Sequence, residues 1–406
     1  MSILLCNFTA QKLINIENMK LVKILSVDDE QDLELLLTQY FRREIRKGEY
    51  QFFFAHNGLE ALTLLLREKD IDIILSDINM PEMDGLTLLT KVNELQNPAL
   101  KCIMVSAYGD MNNIRSAMNN GAFDFATKPI DLDDLSLTIK KAIEQIEYIK
   151  QSQEEHTQLE SLKTDLAVAG EIQQAILPRI FPPFPENEHQ LDIAASMNAA
   201  KDVGGDFYDF FRIDEDRIGF VIADVSGKGI PAAIFMAVSR TLIRATGIRG
   251  GKPSECLTYS NQLLAKESVD CMFVTVFYGI YTISTGEITY CNAGHNPPYI
   301  LKPDSSVEVL PMPQDFLVGA IDGLEYHDNH IKLEPGETLV MFTDGVNEAM
   351  NIDFKEFGDE RFEESLKKCA GMDCQQIIDS VKADVAAFVG EAEQSDDITL
   401  FTLKRK

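Results

Sequence analysis

Aspartates recur in this chain at one kind of place: the end of an apolar run, beside glycine or another acid. VDDE sets Asp28 and Asp29 there, LSDINMP sets Asp77, and VGGDFYDFF sets Asp206. ADVSGKG, MFTDG and SDDITL add Asp224, Asp344 and the pair Asp396 and Asp397. Carboxylates brought together in a low-dielectric setting cannot stay charged and unpaired. A hard divalent cation with oxygen ligands resolves that conflict. The first set is accompanied by Ser106 and Lys128, a hydroxyl and an ammonium suited to an added phosphoryl group. The second set is larger. Two divalent cations held by four aspartates can polarise a bridging water and clamp a phosphate, which is chemistry for phosphoester hydrolysis without a covalent intermediate.

The elements that must position these groups fall into two patterns. From Leu21 to about residue 142, short apolar strands alternate with amphipathic helices: LVKILSVDDE, QFFFAHNG, IDIILSDINMP, KCIMVSAYG and FDFATKP are strands. QDLELLLTQYFRREI reads as one helix between the first two. This alternation predicts a doubly wound α/β domain with a parallel sheet covered on both faces. Ligands bind at the carboxyl ends of such strands, where Asp28, Asp29, Asp77, Ser106 and Lys128 fall. Residues 143–185 follow as a helical linker without proline until Pro178. Leu159, Leu162, Leu166 and Ala169 have heptad spacing, which predicts a dimeric coiled coil interrupted by the polar stretch 150–158. PRIFPPFPE stops the helix. From residue 186 to 406, long strand runs with intervening helix pairs predict an α+β domain of two antiparallel sheets with helices outside. Residues 1–20 read as an N-terminal tail.

With those strand ends in order, residues 21–142 resemble the receiver domain of response regulators, and the loop MPEMDG matches as well. The resemblance implies that Asp77 accepts a phosphoryl group from a sensor histidine kinase or phosphotransfer protein. It implies that Asp28, Asp29 and Asp77, with the Asn79 backbone carbonyl, hold Mg²⁺. Ser106 and Lys128 contact the phosphoryl oxygens, and Phe125 takes the aromatic switch position.

EIQQAILP, VGGDFYDFF, DVSGKGIPAAIFMA, NAGHNPP and FTDGVNEA are similar to the PP2C-type metal-dependent serine/threonine phosphatases, in the bacterial branch typified by SpoIIE and RsbU. The likeness implies an αββα sandwich with two Mn²⁺ or Mg²⁺ ions. Asp206, Asp224, Asp344 and Asp396 are the implied catalytic metal ligands, with the Val225 carbonyl as a backbone ligand. Asp396 is taken over Asp397 because the first acid of the family's DD or DN pair is the ligand. His295 reads as a loop-fixing residue, with general acid as the alternative. Lys201 stands near where eukaryotic relatives carry a phosphate-binding arginine, and Asp209 reads as a supporting residue.

A net charge of −28 over 406 residues repels phosphate backbones and anionic lipid, which argues against nucleic-acid and membrane partners. Seven scattered cysteines without a CxxC pattern fit a reducing, cytoplasmic setting. The combined reading is a response regulator with phosphatase output, acting on a phosphorylated STAS-domain antagonist in a partner-switching pathway. A non-catalytic adaptor carrying a phosphatase-like fold is the alternative.

Overall fold

The computed structural model describes residues 21–107, 110–181, 184–267, 272–311 and 315–406. The expected tail 1–20 lies outside them. The chain divides into two compact units, Met1–Ser161 and Leu162–Lys406.

In the first unit, β1 (Val22–Val27), β2 (Tyr50–Ala55), β3 (Ile73–Asp77), β4 (Lys101–Ala107) and β5 (Asp124–Lys128) form one sheet. Its order is β2-β1-β3-β4-β5, and every pairing is parallel. Side chains of a strand alternate between faces. Accordingly Leu25, Val27, Ile74 and Met104 join one apolar cluster, and Ile24, Ile73, Leu75 and Ile103 join another. The helices are α1 (Asp32–Tyr40), α2 (Arg42–Lys47), α3 (Gly58–Arg67), α4 (Gly85–Glu94), α5 (Met111–Asn119) and the first part of α6 (Leu132–Ile176), which belongs to the second unit from Leu162 on. The single helix expected after β1 is therefore two. Phe41 leaves helical geometry at ψ 16° and buries its ring against Tyr50 and Phe52, at centroid distances of 5.7 and 5.6 Å.

Helix α6 changes character along its 45 residues. Leu135, Ile139, Ala142 and Ile146 step by four, three and four residues and are buried. One turn further on, Lys150 Nζ lies 2.5 Å from the Asp72 carboxylate, just ahead of β3. Residues 151–165 are exposed throughout. Gly170 and Gln173 are buried again, and the helix ends two residues before Pro178.

The second unit contains two five-stranded antiparallel sheets. The first has order β13-β10-β9-β8-β7, built from β7 (Phe207–Arg212), β8 (Arg217–Val225), β9 (Val274–Thr282), β10 (Glu287–Ala293) and β13 (Asn329–Lys332). The other has order β12-β11-β14-β15-β6, from β6 (Leu191–Asn198), β11 (Tyr299–Leu301), β12 (Val307–Val309), β14 (Thr338–Phe342) and β15 (Ile398–Arg405). Period-two alternation on β14 decides the layering. Leu339 and Met341 enter the inter-sheet core with Phe220, Phe277 and Phe401. Val340 and Phe342 face outward into a cluster with α10 (Gly358–Lys368) and α11 (Cys374–Val389). On the other side α7 (Ile230–Gly247) and α8 (Pro253–Glu267) contribute Met236, Ile243, Leu257 and Leu264 to the inter-sheet core cluster. The short α9 (Asp344–Asn347) follows β14. The Phe220 and Phe401 rings stack across the sheets at 5.8 Å. Truncating either to alanine costs about 3–5 kcal/mol. The result is the αββα sandwich expected. Strands β12 and β13 were not anticipated; they are three- and four-residue edge strands, too short to show a period.

Candidate functional site: two acid centres

Four parallel strand ends meet at the first centre. Asp28 follows β1 directly, Asp77 ends β3, Ser106 lies near the end of β4 and Lys128 ends β5. Oxygens of Asp28, Asp29 and Asp77 all lie within 4.8 Å of one another. Asp28 and Asp77 are buried and Asp29 is exposed. Lys128 Nζ sits 2.7 Å from Asp77, 2.9 Å from Asp28 and 3.0 Å from Glu30. Burial works to depress the lysine's pKa, but the hydrogen bonds it donates to Asp77, Asp28 and Glu30 prevail and raise it. Burial holds the Asp28 carboxyl above its usual range, against the pull of Lys128. The Ser106 hydroxyl is fully buried and has no hydrogen-bond partner among the described residues. An orphaned hydroxyl beside an acid–lysine cluster is what an incoming phosphoryl oxygen would satisfy. Asn79 donates its N–H to Asp77 across 3.4 Å, and Phe125 is half-exposed on β5. Gly85 explains the MPEMDG loop: a Cβ there would run into the Asp77 carbonyl. The loop is closed by the Asp84 side chain, which caps α4 by accepting from the Thr87 N–H. A hard divalent cation fits the three carboxylates.

The second centre draws on four separate segments. Asp206 lies just before β7 and is almost wholly buried. Its carboxylate accepts from the hydroxyls of Thr343 (2.7 Å) and Thr399 (2.6 Å). Those two threonines belong to the TDG and DDIT motifs, so each motif brings its own acid and also clamps Asp206. Asp224 is the penultimate residue of β8, beside Asp206, and shares a hydrogen bond with it; Val225 ends the strand. A Cβ on Gly205 would press on the Val225 carbonyl, so the second glycine of VGGD keeps that carbonyl clear. Asp344 opens α9, and Gly345 after it lets the turn pack on the Asp397 backbone. Asp396 is partly exposed and pairs with Lys228 at 2.8 Å.

Asp397 is committed elsewhere. Its carboxylate accepts from the N–H groups of Ala200 (2.8 Å), Gly205 (2.6 Å) and Asp206 (3.4 Å). It therefore fastens the VGGD loop, while Asp396 accepts from the Asp397 N–H (2.9 Å) and pairs with Lys228. These five carboxylates are less tightly drawn than the first centre. Among the described residues only Asp28, Asp29 and Asp77 form a triple within 4.8 Å. Burial first, then repulsion from Asp224 and Asp397, pushes the Asp206 carboxyl far up. Burial, Asp344 and Asp396 push Asp224 up to about 7. Burial and Asp396 raise Asp344. Glu348, exposed one turn after Asp344, is raised by burial and by Asp344. An all-oxygen donor set carrying this much unrelieved negative charge fits divalent cations. When bound, such ions polarise a water and offset phosphate charge.

Three further placements complete the picture. His295 is buried, its Nδ1 lies 2.9 Å from the Thr275 hydroxyl, and its backbone is tied to Asn292. Burial pushes its pKa down to about 3, so it fixes a loop as a neutral ring. Asp209 is buried between Arg240 (3.0 Å) and Arg244 (2.5 Å) of α7. Lys201 is exposed and makes no ion pair among the described residues. Three residues that the sequence reading did not assign carry weight here: Lys228, Thr343 and Thr399. So does Gln173 on α6, whose amide donates to the Gly204 carbonyl (2.6 Å) and accepts from its N–H (2.9 Å).

Fold and site together define a receiver domain followed by a PP2C-type phosphatase domain. The response regulator receiver family matches residues 24–140, and the stage II sporulation protein E family matches residues 214–406. The phosphoserine phosphatase RsbU of Bacillus subtilis is 30% identical over 250 residues, covering 61% of this chain and 72% of RsbU. The chain belongs to these families: a response regulator receiver joined to a SpoIIE/RsbU-type PP2C domain. Protein IcfG of Synechocystis is 31% identical over 271 residues, and the matched region spans 42% of its length. The SiaA PP2C domain of Pseudomonas aeruginosa shares the fold with a TM-score of 0.54 at 23% identity, covering 61% of this chain and 98% of that one. No helix among the described residues is long and apolar enough to cross a membrane.

Proposed function

We propose that this chain is a two-component response regulator in which phosphorylation of Asp77 controls a metal-dependent protein serine/threonine phosphatase. Its functional divisions are a receiver over 21–142, a linker over 143–185 and a phosphatase domain over 186–406. In the receiver, Asp28, Asp29, Asp77 and the Asn79 carbonyl hold Mg²⁺, Ser106 and Lys128 receive the phosphoryl oxygens, and Phe125 reports the change. In the phosphatase, Asp206, Asp224, Asp344, Asp396 and the Val225 carbonyl hold two Mn²⁺ or Mg²⁺ ions.

The observation that carries this reading is the clamped Asp206. Two threonines, drawn from the same motifs that supply Asp344 and Asp396, fix a buried carboxylate beside Asp224. That arrangement serves a cation centre and is costly without one. RsbU, by its name, acts on phosphoserine, which supports a phosphorylated serine or threonine as substrate. The substrate protein is a phosphorylated STAS-domain antagonist, and the phosphodonor is a sensor histidine kinase or phosphotransfer protein. A second copy of the chain pairs through the exposed Leu159 and Leu162 of α6. Regulation reaches the metal loop through Gln173, which holds Gly204, two residues before Asp206.

The test is release of phosphate from a phosphoserine-bearing STAS protein by the full chain with Mn²⁺. Asp224→Ala is expected to lower turnover by at least about a hundredfold, since loss of even an outer-shell partner of a metal costs about 10–100-fold. Metal-dependent turnover that survives in Asp224→Ala would place the chemistry elsewhere. No turnover in the wild type on any phosphoserine protein would favour the adaptor.

A further inference from the structure

Two divalent cations on Asp206, Asp224, Asp344 and Asp396 would leave those six charged partners neutral in sum. Asp397 and Glu348 stand close enough to act on the same carboxylates. A phosphate monoester dianion would therefore meet no net attraction at this centre unless the chain supplies a fixed cation. Lys201, the nearest candidate by sequence, lies exposed and makes no ion pair among the described residues. Lys382 is engaged by neutral groups, the Ser196 hydroxyl and the Asn198 amide oxygen, each at 3.0 Å.

Lys228 is different. It stands four residues after Asp224, in the loop SGKG between β8 and α7. Its Nζ lies 2.8 Å from Asp396 and 2.5 Å from the Ser395 carbonyl. The glycines on either side have φ of +87° and +77°, a conformation that L side chains rarely adopt. Ser226 anchors the base of the loop to Phe273 by two hydrogen bonds, N–H to carbonyl at 2.9 Å and hydroxyl from N–H at 3.0 Å. The lysine is thus displayed from a fixed loop while its own side chain stays 46% exposed. Exposed ion pairs are weak, so exchanging Asp396 for a phosphate oxygen costs little. A lysine ammonium carries three donors on a flexible stem and suits such an exchange.

We propose that Lys228 is the phosphate-binding cation of the phosphatase centre, contacting the non-bridging oxygens of the substrate phosphate while Asp396 serves the metal. This rests on the phosphatase reading above. The test uses the full chain loaded with Mn²⁺ and inorganic phosphate as the probe. Phosphate binding is followed by ³¹P relaxation, which needs no turnover, and Mn²⁺ affinity by electron paramagnetic resonance.

Lys228→Gln is expected to weaken phosphate binding about tenfold or more, the scale of one charge-assisted hydrogen bond. Lys228→Arg is expected to restore it, and Mn²⁺ affinity is expected to stay the same or tighten in both. Undiminished phosphate binding in Lys228→Gln would overturn the assignment. So would a parallel loss of Mn²⁺ affinity, which would make Lys228 a clamp on the 395–397 loop. A wild type that binds phosphate through Lys228 yet hydrolyses no substrate would sink the phosphatase reading and leave this inference standing.

Discussion

At the receiver centre three carboxylates share one ammonium, and Lys128 touches two of them together with Glu30. At the phosphatase centre five aspartates share one ammonium, and of these Lys228 pairs only with Asp396. The difference follows from topology. A parallel sheet delivers all its strand ends to one edge, so a lysine on β5 can reach acids on β1 and β3. The antiparallel sandwich brings its acids from loops of both sheets, and each loop must be fastened separately. Thr343 and Thr399 fasten Asp206, and Asp397 fastens the loop ahead of it. The first centre, three aspartates and Glu30 around one ammonium, carries the smaller excess of negative charge. The second carries a charge excess that protons or divalent cations must relieve.

Removing a single carboxylate separates the two centres most sharply. Asp77→Asn is expected to abolish labelling by acetyl phosphate while leaving unstimulated, metal-dependent hydrolysis in place; retained labelling on a phosphate-affinity gel would end the comparison. Replacing the clamp is the next largest effect. Thr399→Val removes a charge-assisted hydrogen bond to Asp206, of about 1.5–3 kcal/mol. Mn²⁺ affinity at the phosphatase centre should fall about tenfold or more, with receiver labelling untouched. Isothermal titration reads both sites, and equal Mn²⁺ affinity in the variant would mean that the threonine merely fills space.

The smallest effect concerns pH. Asp224 is pushed from 3.8 to about 7 in the folded, metal-free protein. Between those values the folded state holds a proton that the unfolded chain has released. Stability of the metal-free phosphatase unit should therefore fall as pH rises from about 4 to about 7, at about 2–4 °C in Tm per kcal/mol. Mn²⁺ competes with that proton, so its affinity should rise through the same window, by about tenfold per pH unit for one proton released, and then level off. The receiver site, where Lys128 lies against both Asp28 and Asp77, should show a shallower dependence. A Tm that rises with pH in the metal-free protein would refute the charge-excess account.

Much of this was legible in the chain itself. The alternating strands of the receiver and the helix pairs of the sandwich follow from apolar period, and the acids sit at strand ends where glycine punctuates the text. What escaped the reading depends on contacts across long separations. Thr399 reaches Asp206 over 193 residues, and Asp397 reaches Gly205 over 192. No local period encodes such a contact. A trace was nevertheless present, for a threonine adjoins the acid in TDG and stands two residues after the pair in DDIT. Lys228 was overlooked because SGKG reads locally as a turn, and its meaning comes only from the Asp396 loop beside it. The break at Phe41 has the same origin: local propensity favours one long helix, and burial of the ring against Tyr50 and Phe52 overrides it.

The most direct test of the central claim is hydrolysis of a small aryl phosphate by the full chain with Mn²⁺, with and without beryllofluoride to mimic phosphorylated Asp77. The account predicts metal-dependent turnover that beryllofluoride raises, and no response in Asp77→Asn. Turnover that is identical with and without beryllofluoride would contradict it, because the two acid centres would then act independently.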